Sequence, residues 1–111
     1  MSNIDFTIPE GLSDKGRKAA ETLIELAKSL MGEDASGGGC RAFYTPEEWA
    51  DRGERYGLKA ELIVVHDGGD LAPLLNLDYG AYNLFDKQCQ ALQAHGVYAE
   101  GCTGWYTAIY E

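Results

Sequence analysis

The chain has 111 residues, of which 45% are hydrophobic and 24% charged, and its formal net charge is −9. That length suits one globular domain, residues 1–111, with a single core that needs no disulfide or metal staple. The negative charge repels DNA, RNA and anionic lipid, which argues against direct nucleic-acid binding and against a membrane partner.

In chain order, Ile4, Phe6 and Ile8 alternate with Asp5 and Thr7, the period of a half-buried strand, and Pro9 stops it. Residues 3–8 therefore read as an edge strand or a docked arm. Ser13 is an N-cap for a helix over 14–31, with Gly32 just beyond its end. Ala19, Ala20, Leu23, Ile24, Leu26, Ala27, Leu30 and Met31 form its broad apolar face. Asp14–Lys18, Arg17–Glu21 and Glu25–Lys28 are spaced to pair on its outside. Residues 33–39, Glu-Asp-Ala-Ser-Gly-Gly-Gly, read as a flexible glycine-rich loop.

Residues 40–44 predict a short strand. Thr45-Pro46-Glu47-Glu48 then combines an N-cap, a proline at the first helical position and a capping-box glutamate. The spacing predicts a helix to Tyr56 with Gly57 after it, burying Trp49 and Tyr56. Gly53 between them would let the helix approach the sheet closely. Glu48–Arg52 and Asp51–Arg55 are spaced to pair on its exposed side. The β-branched run over 61–66 predicts a central buried strand. Residues 71–80 suit a short helical turn or a loop, and 81–95 a helix with Leu84, Phe85, Cys89 and Leu92 inward. Strands over 97–100 and 105–110 flank Gly101-Cys102-Thr103-Gly104, which suits a hairpin.

The order β-α-β-α-β-α-β-β predicts an α/β fold: a two-layer α+β sandwich with a mixed sheet of four or five strands and an antiparallel C-terminal hairpin. Three helices are expected mainly on one face.

No signal-peptide pattern opens the chain, and no apolar run approaches the ~20 residues of a membrane helix. Three cysteines in no paired spacing fit free thiols, so a cytoplasmic location is expected.

Chemistry is sought first at His66-Asp67-Gly68-Gly69-Asp70, just past the predicted central strand, where open α/β sheets place ligands. His66, Asp67 and Asp70 offer proton transfer or hard-cation ligation. The competing reading is a tight polar turn whose aspartates cap backbone amides. Gly37-Gly38-Gly39-Cys40-Arg41 precedes a strand and not a helix, which is the wrong context for a phosphate loop. Cys102 with His95 or His66 would form a thiol–imidazole dyad, although no nucleophile signature surrounds Cys102. Cys40, Cys102, His66 and His95 lack zinc-ligand spacing, so neither a metal nor another cofactor is expected.

Charge and aromatics are both asymmetric. From Ala60 onward there are seven acids against one base, Lys87, and five of the seven tyrosines. If Tyr106 and Tyr110 stand outward beside Tyr98, then with Trp105 and Glu100 they form an acidic aromatic binding patch. A partner with a basic surface suits it. The other readings are a small enzyme or ligand-binding domain at the His66–Asp70 turn, and a homodimer sealed by the tyrosines or by residues 4–8.

Four segments taken together, 9–18, 40–49, 66–70 and 105–110, resemble small acidic hypothetical proteins of bacterial, phage and prophage genomes. The resemblance spans nearly the whole chain and implies a mobile-element accessory protein. That group has no assigned activity, so it implies no role for any single residue.

Overall fold

The computed structural model describes residues 6–37, 41–54, 59–67, 69–76, 79–102 and 104–111. Its elements are α1 (Asp14–Met31), β1 (Phe43–Tyr44), α2 (Pro46–Asp51), β2 (Leu62–Val65), α3 (Ala72–Leu75), α4 (Tyr82–Gln93), β3 (Tyr98–Gly101) and β4 (Tyr106–Tyr110). Four strands form one sheet in the order β1-β2-β4-β3, and helices cover it, giving an α+β sandwich.

All three strand pairings are antiparallel, so the sheet is not the mixed one that helical crossovers suggest. The reason is topological. β2 and β3 are joined through α3 and α4 and run in the same direction, as a crossover requires. β4 then turns back and inserts between them, which splits the unit and makes both of its own pairings antiparallel. The other helical connection, through α2, has a helix of only six residues and joins two strands that pair antiparallel.

Strand alternation gives the sheet two unlike faces. Phe43, Leu62, Val64 and Ile109 project into the larger core with Ala19, Ala20, Leu23 and Ala27 of α1, Leu74 and Leu75 of α3 and Leu92 of α4. Ile63, Val65, Tyr106 and Ala108 project the other way, onto Trp49 of α2. Three helices therefore share one face, but they are α1, α3 and α4. The helix that begins at the capping box lies across the opposite face.

Local signals place the helices. Ser13 Oγ accepts from the Gly16 amide at 3.1 Å, and Gly32, at φ +104°, ends α1 with its N–H on the Lys28 carbonyl. Gly16 is buried where α1 crosses the start of β2, and a side chain there would run into the Glu61 carbonyl. The capping box of α2 is complete: the Glu48 amide reaches Thr45 Oγ1 at 3.0 Å, and the Thr45 amide reaches Glu48 Oε1 at 2.9 Å.

α2 is shorter than its spacing predicts. It ends at Asp51, and Gly53 takes φ +83°, a left-handed conformation that stops a helix. Among the described residues nothing lies within 4 Å of where a Gly53 side chain would start, so Gly53 acts as a terminator. Tyr56 and Gly57 lie outside the described residues. Glu48 pairs with Arg41 at 2.8 Å in place of Arg52, and Arg52 lies 3.8 Å from Glu54. The outward pairs expected along α1 are not among the ion pairs of the described residues; Lys15 instead meets Glu111 at 3.7 Å.

Residues 6–8 are not strand. Phe6 is buried against Phe43, ring centroids 6.0 Å apart, and Ile8 packs on the same core, so this segment is a docked arm. An edge strand through residues 4–8 that would seal a homodimer is accordingly not formed at 6–8; residues 3–5 lie outside the described residues.

Candidate functional site

The turn after β2 is built to hold another loop. The Asp70 amide donates to the Ser36 carbonyl at 2.8 Å, and the Ser36 amide donates to Asp70 Oδ2 at 2.8 Å. This two-way clasp ties the segment after α1 to the end of the central strand. Gly69 makes it possible, since a side chain there would start 2.7 Å from the Gly37 carbonyl. Asp70 thus caps backbone, as the turn reading expects. Gly37 and Ala35 are buried in the clasp, while Gly38, Gly39, Cys40 and Gly68 lie outside the described residues.

His66 follows β2 and turns into the protein. Its Nε2 lies 2.9 Å from Thr107 Oγ1 on β4, and the residue is only 2% exposed. Nδ1 is buried with no hydrogen-bond partner among the described residues. Burial holds the imidazole below its ordinary pKa of 6.5, opposed by the polarity of its own backbone and by the Asp67 carboxylate. His66 is therefore a buried core group, neutral at pH 7.

A pH dependence follows. Well above its unfolded pKa of 6.5, from about pH 7.5 upward, the ring is neutral in both folded and unfolded chains, and it adds no slope. As pH falls below that, the unfolded chain takes up a proton that the folded one resists, so stability drops until the folded pKa is passed. The expected loss is at most about 1.4 kcal/mol per pH unit. Urea midpoints at pH 7.5, 6.5 and 5.5 should fall in wild type, and should run flatter in His66→Asn at whatever stability that variant has. Parallel curves would show that His66 does not titrate on unfolding. The Glu48 carboxyl, held below 4.5 mainly by its hydrogen bond to Arg41, adds its own loss only in more acid solution.

Cys102 joins neither His66 nor His95. Cys102 packs with the Trp49 cluster, on the sheet face opposite the Thr107 side chain that His66 meets. His95 precedes β3 and Cys102 follows it, so the two stand at opposite ends of that strand. Neither thiol–imidazole dyad is formed. Burial also pushes the Cys102 thiol above its ordinary pKa, the reverse of what a nucleophile needs. Asp67 is exposed at the turn. Among the described residues no group of three or more His, Cys, Asp or Glu is placed to hold a metal ion.

The aromatic residues divide into two sets. Tyr106 is 1% exposed, so it does not stand outward as a binding residue. Its ring meets Trp49 edge-on at 4.8 Å, and Trp105 packs on both, at 4.6 Å from Tyr106 and 5.7 Å from Trp49. Tyr44 and Arg52 complete the cover over Trp49, at 5.1 Å and 4.5 Å. The alternation that puts Tyr106 and Tyr110 on one face is correct. What it misses is the short α2, which roofs that face at Tyr106.

The roof does not reach the other end of the hairpin. There Tyr98 lies opposite Tyr110 across β3 and β4, rings 5.8 Å apart, and Tyr98 is 48% exposed. Glu100, two residues along β3, is exposed on the same face. From Tyr98 to Glu111 the chain has no lysine or arginine. Tyr98, Tyr110 and Glu100 thus form an accessible acidic aromatic face, and Trp105 is half-buried beside the closed cluster.

Two polar features escape sequence reasoning. Gln88 is fully buried, its Nε2 donating to the Leu74 carbonyl at 3.2 Å, which ties α4 to α3. The signal was its place midway in the Leu84–Leu92 stripe. An open cleft of about 300 Å³ lies between the starts of α1 and α2, with Ser13, Glu47 and Glu61 on its walls. Ser13 Oγ donates to Glu61 Oε1 there at 2.7 Å.

These features define an antiparallel α+β sandwich with one roofed sheet face and an acidic aromatic edge. Comparison with protein-family models, with curated proteins and with solved structures finds no match to the chain. Among the described residues no helix is long and apolar enough to cross a membrane.

Proposed function

We propose that the protein is a small non-enzymatic binding protein that engages a basic surface of a partner protein through its C-terminal hairpin. The observation that carries this reading is exposed Tyr98 packed against half-buried Tyr110, with exposed Glu100 beside them, on a hairpin without a single base. Tyrosines supply contact area at low entropic cost, and a net charge of −9 steers a cationic partner inward. Burial of His66, the clasp of Asp70 on backbone and the place of Cys102 on the other sheet face favour binding over catalysis. Free thiols at Cys89 and Cys102 agree with a reducing cytoplasm. A mobile-element accessory protein that occupies a basic groove of a host protein fits both the resemblance and the charge.

Titration with a labelled peptide rich in lysine and arginine tests this. Affinity should fall steeply between low and physiological salt. Tyr98→Ala should weaken binding about tenfold, and Glu100→Gln by less while flattening the salt dependence. A duplex DNA of the same length should not bind. Salt-insensitive binding, or a Tyr98→Ala variant that binds as wild type, would defeat the proposal.

A further inference from the structure

We propose that the outer edge of β3 takes up an extended cationic segment of the partner as an added strand. This rests on the basic-partner reading above and specifies its mode. β3 is the last strand of the sheet on its side, and no described strand lies beyond it. It is largely exposed over Tyr98–Gly101 and carries no proline or lysine that would blunt an edge, and among the described residues no further strand covers it.

The register says which backbone groups are available. The Cys102 amide donates to the Tyr106 carbonyl at 3.2 Å, so this pair faces inward across the hairpin. In an antiparallel ladder the inward pairs recur at every second residue. Tyr98 and Glu100, opposite Tyr110 and Ala108, are therefore also bonded to β4. On the far side of β4, the Ile109 carbonyl accepts from Glu61 at 2.7 Å, which agrees with that alternation. Ala99 and Gly101 then direct their N–H and C=O groups to the open edge.

An added strand would bond to Ala99 and Gly101. Its alternate residues would lie beside Tyr98 and Glu100 on the acidic aromatic face. A lysine or arginine there meets the Glu100 carboxylate and the tyrosine ring faces, an ion pair and a cation–π contact from one side chain. Charge decides the occupant. A second copy would set Glu100 near its own counterpart on a molecule of the same net charge of −9. A four-residue edge also offers far less than the ~1,200 Å² or more of a stable dimer. A basic extended segment suits the edge on both counts.

The test uses three capped hexapeptides alternating valine and lysine, binding the intact protein at low salt. One is unmodified, one is N-methylated at the valines and one at the lysines. All carry the same charge. With an antiparallel strand that sets lysine beside Glu100, the valines lie opposite Ala99 and Gly101 and their amides face β3. Valine methylation should therefore weaken binding about tenfold or more, and lysine methylation about twofold or less. Equal binding of the two methylated peptides overturns strand addition and leaves the basic-partner reading standing. Failure of the unmodified peptide to bind defeats both. In the protein, Ala99→Pro removes one outward N–H and keeps the β4 ladder, so it should lose the unmodified peptide while retaining its melting transition. If that variant unfolds, the peptide pair alone decides. A wild-type dimer in sedimentation that Ala99→Pro abolishes would overturn the proposal in favour of a second copy.

Discussion

Replacing Trp49 by alanine should remove about 3–5 kcal/mol of stability, a large share of the ~5–15 kcal/mol typical of a whole domain. Trp49 is fully buried and lies at the centre of the smaller core, against Ile63, Val65, Tyr106 and Ala108. α2 is six residues long and contributes one buried residue, so no neighbour on that helix can fill the space. Arg52 over the indole and Arg41 over Tyr44 would lose their aromatic support or its continuation. Trp49→Phe should cost less, because the indole Nε1 has no hydrogen-bond partner among the described residues and its loss sacrifices no bond. Urea denaturation followed by far-UV circular dichroism measures both. A Trp49→Ala loss below about 1 kcal/mol would show that this face is closed by something other than the indole.

Gly16→Ala should also destabilise, although alanine is the better helix former by about 1 kcal/mol. Gly16 faces β2 so closely that an added methyl carbon would overlap the Glu61 carbonyl. That carbonyl is backbone at the entrance to the central strand, so it cannot swing aside as a long side chain would. Either α1 lifts from the sheet or the Ser13 cap, which holds both the Gly16 amide and the Glu61 carboxylate, is broken. Overpacking of this kind costs about 1–3 kcal/mol, enough to lower the melting temperature by several degrees. Alanine at Gly32, where no described residue lies within 4 Å, separates this clash from the cost of a positive φ. A Gly16→Ala protein that melts above wild type would mean that α1 stands further from β2.

Much of the fold was legible because its signals are local. Ser13 and Gly32 bracket α1, the Thr45 capping box starts α2, and the apolar run Leu62–Val65 is the buried strand next to the middle of the sheet. The hairpin was legible from its two glycines and alternating strands. What escaped depends on distant partners. Nothing in the residues of β4 says that it will lie beside β2, and that choice keeps the parallel β2 and β3 from pairing with each other. The end of α2 is not legible because Trp49 and Tyr56 keep a helical spacing across Gly53, while Gly53 itself stops the helix. The site was legible only as residue types. Strand parity put Tyr98, Tyr106 and Tyr110 on one face correctly, but exposure depends on where a six-residue roof ends. The polar turn at Asp70 was legible as a turn, whereas its partner Ser36, 34 residues earlier, was not.

The insertion of β4 between β2 and β3 also sets an order of events. β2 is four consecutive apolar residues, three of them β-branched, the composition that seeds intermolecular strand pairing when its edges are bare. One of those edges is met by only two residues of β1, and the other waits for a strand whose centre lies over 40 residues further along the chain. The hairpin of β3 and β4 is local and closes on a microsecond scale, but its docking onto β2 must bridge that separation. Until it docks, Leu62–Val65 is the segment most prone to aggregate, and β4 serves the chain as a shield before it serves as a scaffold.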